Sequence, residues 1–146
     1  MGGNLNFSHS TGIWTKDDGS ILVPQGQSWA GNDKNPECNP TGVKGKLNHA
    51  SQGIHKIGPL PVGIYRVGEW GDSTSVKGYP KHLGPLIASL TQISGETFGR
   101  NGFFIHGPAS QASGIFGEES MGCTVTMHDY RVKLALFNPT TVNVTE

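Results

Sequence analysis

Two side chains that can act together in catalysis, His106 and Cys123, lie in one stretch of the chain, from Phe98 to Met127. A cysteine becomes a nucleophile near neutral pH when an imidazole takes its proton and N–H donors stabilise the charge formed on the attacked acyl group. Gly122 leaves space for a substrate carbonyl beside the cysteine and leaves backbone N–H groups free to point at it. The pattern predicts cysteine-dependent acyl transfer. The structural alternative is a buried, inert Cys123 and a His106 that only makes hydrogen bonds.

The residues before His106 indicate how it would be positioned. Residues 103–105 are Phe, Phe and Ile, bounded by glycines, which predicts a short buried strand that carries His106 at its carboxyl end. Gly107 and Pro108 should end this strand. Residues 109–119 are small and polar, so the chain can loop back and bring Cys123 beside His106 from a neighbouring strand.

Three blocks of the sequence, taken together, resemble the L,D-transpeptidases. Residues 105–107 (Ile-His-Gly) followed by 120–123 (Ser-Met-Gly-Cys) are similar to the active-site signature of that family. Upstream, residues 58–65 (GPLPVGIY) resemble a strand entry common in the superfamily. The longer run 98–107 is similar to a narrower branch, the effectors that bacteria inject into rivals through the type VI secretion system. With gaps, the resemblance extends from about residue 14 to about residue 134.

The resemblance implies roles for individual residues. Cys123 would be the nucleophile and His106 its base, with the imidazole oriented by the backbone carbonyl of Gly107. The turn before the cysteine would supply oxyanion donors and brace the site; its residues are Ser120, Met121 and Gly122.

The sequence also departs from the family pattern. Met121 stands where the broad family usually has His, and the Arg that often follows the cysteine is absent, because residues 124–126 are Thr, Val and Thr. Arg100 and Arg131 are the available substitutes for a substrate-binding arginine, and for each of them a solvated surface cation is the alternative interpretation.

The substrate implied by the resemblance is the tetrapeptide stem of peptidoglycan. The thiolate would attack the carbonyl of the L-centre of diaminopimelate and release D-Ala; water, a free D-amino acid or another stem would then accept the acyl group. The effector branch further implies delivery into another bacterium's periplasm, toxicity and a cognate immunity protein. An endogenous or phage-borne wall-remodelling enzyme would have the same active site.

Composition favours a mainly β fold. The chain has 146 residues, which predicts a single domain spanning 1–146, and only 34% of them are hydrophobic, with 22 Gly and 9 Pro. Together with the resemblance, this predicts an L,D-transpeptidase-like β-sandwich or barrel with long loops and one short helix.

Local patterns predict the individual elements. Asp-Gly at residues 18–19 is a hairpin signal between strands at 12–15 and 21–23. Apolar residues at spacings of four and three predict a helix over 128–137. Further strands are expected at 64–67, 85–91 and, as an edge strand, 141–145. Residues 24–56 lack periodicity and are expected to form a loop, either a lid or the wall of a substrate cleft.

The charge balance argues against several classes of partner. Eleven basic and eleven acidic residues give a formal net charge of zero, which disfavours nucleic acid binding. No apolar run approaches a membrane span, and the N-terminal residues lack the features of a secretory signal. If the substrate is cell wall, we expect export by a route such as type VI secretion and activity in the target-cell periplasm.

Nothing in the sequence indicates a metal or another cofactor. The histidines form no His-x-x-x-His pair and the cysteines no Cys-x-x-Cys pair, and glycine-rich phosphate loops are missing. Cys38 and Cys123 could form one disulfide, but this would consume the nucleophile. We therefore predict that Cys123 is a free thiol and that Cys38 is incidental.

Two further interpretations compete with acyl transfer on cell wall. Papain-like and NlpC-type peptidases place the cysteine before the histidine in the chain, the reverse of the order here. A non-catalytic β-domain that binds a glycan or a protein partner would leave Cys123 inert. Reactivity of the thiol near neutral pH separates this last alternative from an enzyme.

Overall fold

The computed structural model of the protein describes residues 3–30, 52, 59–71, 86–96, 98–100, 102–107 and 124–146. These residues form nine strands and one helix, which confirms the predicted mainly β class with a single short helix. The strands are β1 (Asn4–Ser8), β2 (Trp14–Lys16), β3 (Ile21–Val23), β4 (Ser28–Ala30), β5 (Gly63–Val67), β6 (Ala88–Ser94), β7 (Phe103–His106), β8 (Thr124–Thr126) and β9 (Thr141–Thr145). The helix is α1 (His128–Phe137).

All nine strands belong to one sheet, in the order β3-β2-β1-β9-β5-β6-β7-β8-β4. Its two edge strands, β3 and β4, are consecutive in the chain, so the sheet curls into a nearly closed barrel. A chain of hydrogen bonds crosses the interior at this closure: Trp14 Nε1 donates to Ser28 Oγ over 2.9 Å, and Ser28 Oγ lies 2.9 Å from Thr126 Oγ1. The polar chain therefore ties β2 to the opposite edge of the sheet.

The interior is apolar because alternate residues of most strands point inward. Paired strands contribute matched side chains, such as Leu5 beside Val142 and Phe7 beside Val144. The buried cluster consists of Leu5, Phe7, Trp14, Val23, Ala30, Leu60, Tyr65, Leu90, Phe103, Ile105, Leu134, Val142 and Val144. Phe103 and Ile105 belong to this cluster, so their side chains are on the inner face of β7. The side chain of His106, the next residue, is on the other face.

Several sequence predictions are confirmed. The strands on either side of the Asp-Gly turn pair antiparallel, with Trp14 opposite Val23. The helix spans residues 128–137 as predicted, with Leu134 fully buried against the core and Tyr130 and Phe137 partly buried. It ends at Asn138, whose left-handed φ of 54° is a common way to terminate a helix. No helix in the described ranges is long and apolar enough to cross a membrane.

Three predictions about strands need correction. The expected loop over 24–56 contains β4, which is only three residues long and too short to produce a readable period. Residues 141–145 form a strand but not an edge strand, because β9 pairs with β1 on one side and β5 on the other. The strand expected at 85–91 is shifted to 88–94, and β1 was not predicted at all.

Candidate active site

His106 is the last residue of β7 and its side chain is 2% exposed. Its Nδ1 lies 2.7 Å from the carbonyl oxygen of the next residue, Gly107. A carbonyl can only accept a hydrogen bond, so Nδ1 must carry the proton. In the neutral imidazole the basic nitrogen is therefore Nε2, the atom that would have to accept a thiol proton.

The neighbouring strand β8 begins one residue after Cys123. It pairs with β7 in parallel, with Ile105 opposite Thr124 and His106 opposite Val125. The predicted arrival of a second strand beside the end of β7 is thus confirmed for the described part of that strand. The predicted nucleophile and turn lie outside the described residues: Ser120, Met121, Gly122 and Cys123.

Register assigns side chains to the two faces of this part of the sheet. Directly paired residues share a face, so His106 lies on the same side as Val125, and Ile105 shares the inner side with Thr124. Val125 is fully buried although it is not part of the inner cluster. The face that carries His106 is therefore covered, a setting in which an imidazole and its hydrogen bonds are shielded from bulk water.

Gly107 lies against the guanidinium of Arg131. A Cβ added to Gly107 would stand 2.2 Å from Arg131 Nη1 and 2.7 Å from its central carbon, so a larger side chain does not fit without a shift. Arg131 is 3% exposed; its Nε donates to Leu86 O over 2.8 Å and its Nη1 to Thr126 O over 2.6 Å. Burial lowers the pKa of Arg131, but an arginine stays charged near neutral pH.

Arg100 is buried as well, with 4% of its surface exposed. Its Nη1 donates to the carbonyl of Pro59 over 2.8 Å and also to that of Gln52, and its guanidinium lies 5.3 Å from the ring centre of Phe103. Neither Arg100 nor Arg131 is thus the solvated surface cation considered as an alternative, because both guanidinium groups bind backbone carbonyls. A substrate-binding role for either one stays a prediction.

Arg100 is one of several side chains that hold residues 59–62, which belong to the GPLPVGIY block. We call residues 59–62 the strap. His9 Nε2 bonds Leu60 O, Tyr65 Oη donates to Pro61 O over 2.7 Å, and Gln92 Nε2 donates to Val62 O over 3.2 Å. Each carbonyl of the strap therefore meets a side chain from elsewhere in the fold. Pro59 and Pro61 have no backbone N–H, so the strap cannot form a continuous ladder with a neighbouring strand. Side chains bind its carbonyls in place of such a strand.

His9 is a structural residue that the sequence patterns do not indicate, because the spacing of the histidines bears only on metal binding. It is fully buried at the end of β1, and the signal that could have found it is its place beside an apolar alternating segment. Among the described residues, no group of three or more His, Cys, Asp or Glu side chains is placed to hold a metal ion.

Thr124, the residue after Cys123, carries a buried hydroxyl. Among the described residues its Oγ1 has no hydrogen-bond partner, and the side chain is fully buried on the inner face beside Ile105. Two residues along, Thr126 makes the bond to Ser28 described above. One hydroxyl of this strand thus completes the interior polar chain, whereas the other is unsatisfied.

The assembled elements offer an imidazole with a fixed tautomer, a parallel neighbour strand that follows the cysteine, and a buried cation behind the residue that orients the imidazole. These parts suit a base that takes a proton from a thiol. Comparison of the chain with protein-family models, with curated proteins and with solved structures finds no match.

Proposed function

We propose that the protein is a cysteine-dependent enzyme that acts on the tetrapeptide stems of peptidoglycan, with L,D-carboxypeptidase and L,D-transpeptidase exchange activity. The observation that carries the proposal is the bond from His106 Nδ1 to the carbonyl of Gly107, at the end of the strand beside which β8 begins. This is the imidazole orientation that the resemblance to L,D-transpeptidases implies. It leaves Nε2 as the base.

The proposed nucleophile is Cys123, the residue before β8 in the chain. Val125 is opposite His106, and side chains two residues apart along a strand point to the same side. The proposal puts Cys123, two residues before Val125 in the chain, on this same face of the sheet and not on the inner face. The proposal needs this placement, because a cysteine on the inner face would be separated from the imidazole by the sheet.

In the first step, Nε2 of His106 takes the thiol proton and the Cys123 sulfur attacks the carbonyl of the L-centre of diaminopimelate. The C–N bond to the terminal D-Ala breaks, the imidazolium returns a proton to the leaving amine, and a thioester forms on Cys123. Backbone N–H groups of Gly122 and Cys123 would stabilise the oxyanion, an effect of about 3 kcal/mol per donor. No oxidant, metal or other co-reactant is required.

The second step decides the product. Water, deprotonated by His106, releases a tripeptide stem and restores the thiol, which is the carboxypeptidase outcome. The amine of a free D-amino acid gives exchange, and the amine of another stem gives a cross-link. These routes share one thioester and differ in which acceptor reaches it.

The resemblance also suggests a biological setting, which we include in the proposal. The chain would be an antibacterial effector of a type VI secretion system, active in the periplasm of the target cell and neutralised by an immunity protein. An endogenous or phage-borne wall-remodelling enzyme shares the chemistry, so the in vitro test below does not depend on the setting.

The test is incubation of disaccharide-tetrapeptide with the purified protein and mass spectrometry of the products. Cys123→Ala and His106→Ala are run in parallel, and a D-amino acid is added to half of the samples. We expect loss of one D-Ala with the wild type and, in the samples with added amino acid, a product that has gained it. Loss of activity in both variants would tie the chemistry to the proposed pair.

Cys38→Ala is the matched control, because it removes the other thiol of the chain, and it should behave like the wild type. Muropeptides that return unchanged from a folded wild-type protein would refute the proposal. A binding function would then be the better explanation, and glycan or protein partners should be sought.

A further inference from the structure

The carbonyl that orients His106 belongs to the middle residue of a row of three, which lie just before β6, just after β7 and at the end of β8. Ala88 is opposite Ile105 in the antiparallel pair β6–β7, so Leu86 stands level with Gly107 when that register is continued. His106 is opposite Val125 in the parallel pair β7–β8, so Thr126 also stands level with Gly107. The row is thus Leu86, Gly107 and Thr126.

Arg131 contacts all three members of this row. Its Nε and Nη1 donate to the carbonyls of the outer two, Leu86 and Thr126, and its guanidinium covers the Cα of Gly107 in the middle. A Cβ on Gly107 would meet Nη1, the central carbon and Nη2 at 2.2, 2.7 and 3.0 Å, which means that it would press on the flat side of the group. Glycine is therefore the residue that lets the cation lie across the row.

The two donors of Arg131 have a further consequence for the end of β7. They fix two carbonyls at the level where β7 ends, that of Leu86 just before β6 and that of Thr126 at the end of β8. The planar guanidinium then fills the space on one side of the Gly107 peptide. Among the residues that the structure describes, no carboxylate is paired with Arg131. Its charge is satisfied by backbone carbonyls, so this contact joins a helix residue to the sheet and not to another side chain.

We propose that Arg131 is a positioning residue that fixes the Gly107 peptide and, through its carbonyl, the Nδ1–H tautomer and ring orientation of His106. It does so from inside the protein and without touching substrate, in contrast to the substrate-binding role expected from the sequence. The inference rests on the proposed function only for its catalytic consequence. The tautomer itself is a property of the folded chain.

Lysine at position 131 keeps the charge but has a single nitrogen, so it cannot donate to Leu86 and Thr126 with the same fork or cover Gly107 with a flat group. The Gly107 peptide would then be free to rotate, and the His106 bond to it would weaken. We expect a mixture of tautomers in place of one.

The experiment is ¹⁵N NMR of histidine side chains at a pH where neutral imidazole dominates. It is made in the Cys123→Ala background, so that a thiolate cannot charge the ring, and the His106 signals are assigned by their loss in His106→Gln. We expect Nδ1–H for His106 with Arg131 and a shift toward Nε2–H in Arg131→Lys. In the chain with its cysteine, the same change should slow alkylation of Cys123 at pH 7 by about tenfold, the equivalent of one pKa unit in the thiol.

Arg100→Lys is the matched control, since it makes the same chemical change at another buried arginine that binds carbonyls. Its His106 signals should stay where they are. If Arg131→Lys leaves the tautomer unmoved, or if Arg100→Lys moves it equally, the positioning role is overturned. Should Arg131→Lys not fold, Gly107→Ala displaces the same guanidinium from the other side and must give the same shift.

These results are independent of the muropeptide assay. A tautomer that depends on Arg131 in a protein without muropeptide activity would refute the proposed function and leave the positioning role standing. Muropeptide activity together with a His106 tautomer that does not change in Arg131→Lys would support the proposed function and refute the positioning role.

Discussion

The imidazole of His106 is held by its own backbone, because its partner is the carbonyl of the very next residue. Such a bond depends directly on the orientation of a single peptide. That makes the Gly107 peptide, and whatever fixes it, as important as the histidine. The sequence could predict His106 at a strand end and, through the resemblance, the use of the Gly107 carbonyl. It could not predict Arg131 behind that peptide, since a contact between a helix and the end of a strand leaves no periodic signal.

Thr124 and Thr126 permit a test of single buried hydroxyls in one strand. The hydroxyl of Thr124 has no partner among the residues that the structure describes, so its burial costs free energy without a compensating hydrogen bond. Thr124→Val keeps the branched shape and removes the hydroxyl, and we expect the free energy of unfolding to rise by about 1 kcal/mol. Urea unfolding followed by fluorescence measures the change.

Thr126→Val is the matched control, because the same atoms change two residues away. Here the hydroxyl bonds Ser28, which in turn accepts from Trp14, so its loss should lower the free energy of unfolding by about 1 to 2 kcal/mol. Equal effects of the two substitutions would show that the hydroxyl of Thr124 finds a partner in solution.

Among the elements, the strap over residues 59–62 depends most on side chains. The sequence indicated it as the block GPLPVGIY, but could not say what binds its carbonyls, because His9, Tyr65, Gln92 and Arg100 are spread over the chain. Tyr65 closes a short bond back to Pro61, and its ring also packs edge-on against Phe103 at 6.0 Å. The strap is thus joined to β7, the strand that ends at His106.

Tyr65 gives this element a pH dependence. Burial raises the pKa of the Tyr65 phenol, and the nearby Arg100 opposes that rise without cancelling it. The unfolded phenol ionises near pH 10, at about its ordinary value, whereas the folded one keeps its proton to higher pH. The contribution of Tyr65 to stability is therefore complete below about pH 10 and is lost as the pH rises above it.

We expect Tyr65→Phe to lower the free energy of unfolding by about 1 kcal/mol at pH 8, because the bond to Pro61 is lost. The gap between wild type and variant should close above pH 10, since phenylalanine cannot ionise. Urea unfolding at pH 8, 10 and 11 measures it. Tyr130→Phe, on the partly buried side of α1, is the control for loss of a phenol elsewhere; a gap that stays constant with pH in Tyr65→Phe would contradict the prediction.

At the scale of the whole molecule, the sheet brings together parts of the chain that local patterns cannot relate. Strands with clear alternation or a turn signal were predicted, as at residues 21–23, and so was the helix. The neighbours of each strand were not, because β9 reads as a plausible edge strand until β1 is found to pair with it in parallel. The candidate site shows the same limit. The sequence indicated His106 as a candidate residue, but the parallel pairing of β7 with β8 becomes visible only in the complete sheet.

This dependence on the whole fold gives a prediction for Cys123. β7 and β8 become neighbours only when the sheet forms, so an imidazole can activate the thiol only in the folded protein. In a Cys38→Ala chain, which leaves one thiol, we expect alkylation at pH 6 to be faster for the folded protein than for the protein in urea. The apparent pKa of the folded thiol should lie below the value of about 8.5 that a free thiol has.

His106→Ala in the same background is the decisive comparison, because it removes the base and leaves the strands in place. Its folded thiol should lose the advantage over the unfolded one at pH 6, where few ordinary thiols are ionised. A Cys123 that reacts only after unfolding would instead be the inert, buried cysteine of a binding domain. The measurement therefore separates an enzyme from a binding domain without requiring that the substrate be known, since an activated thiol is a property of the site and not of the ligand.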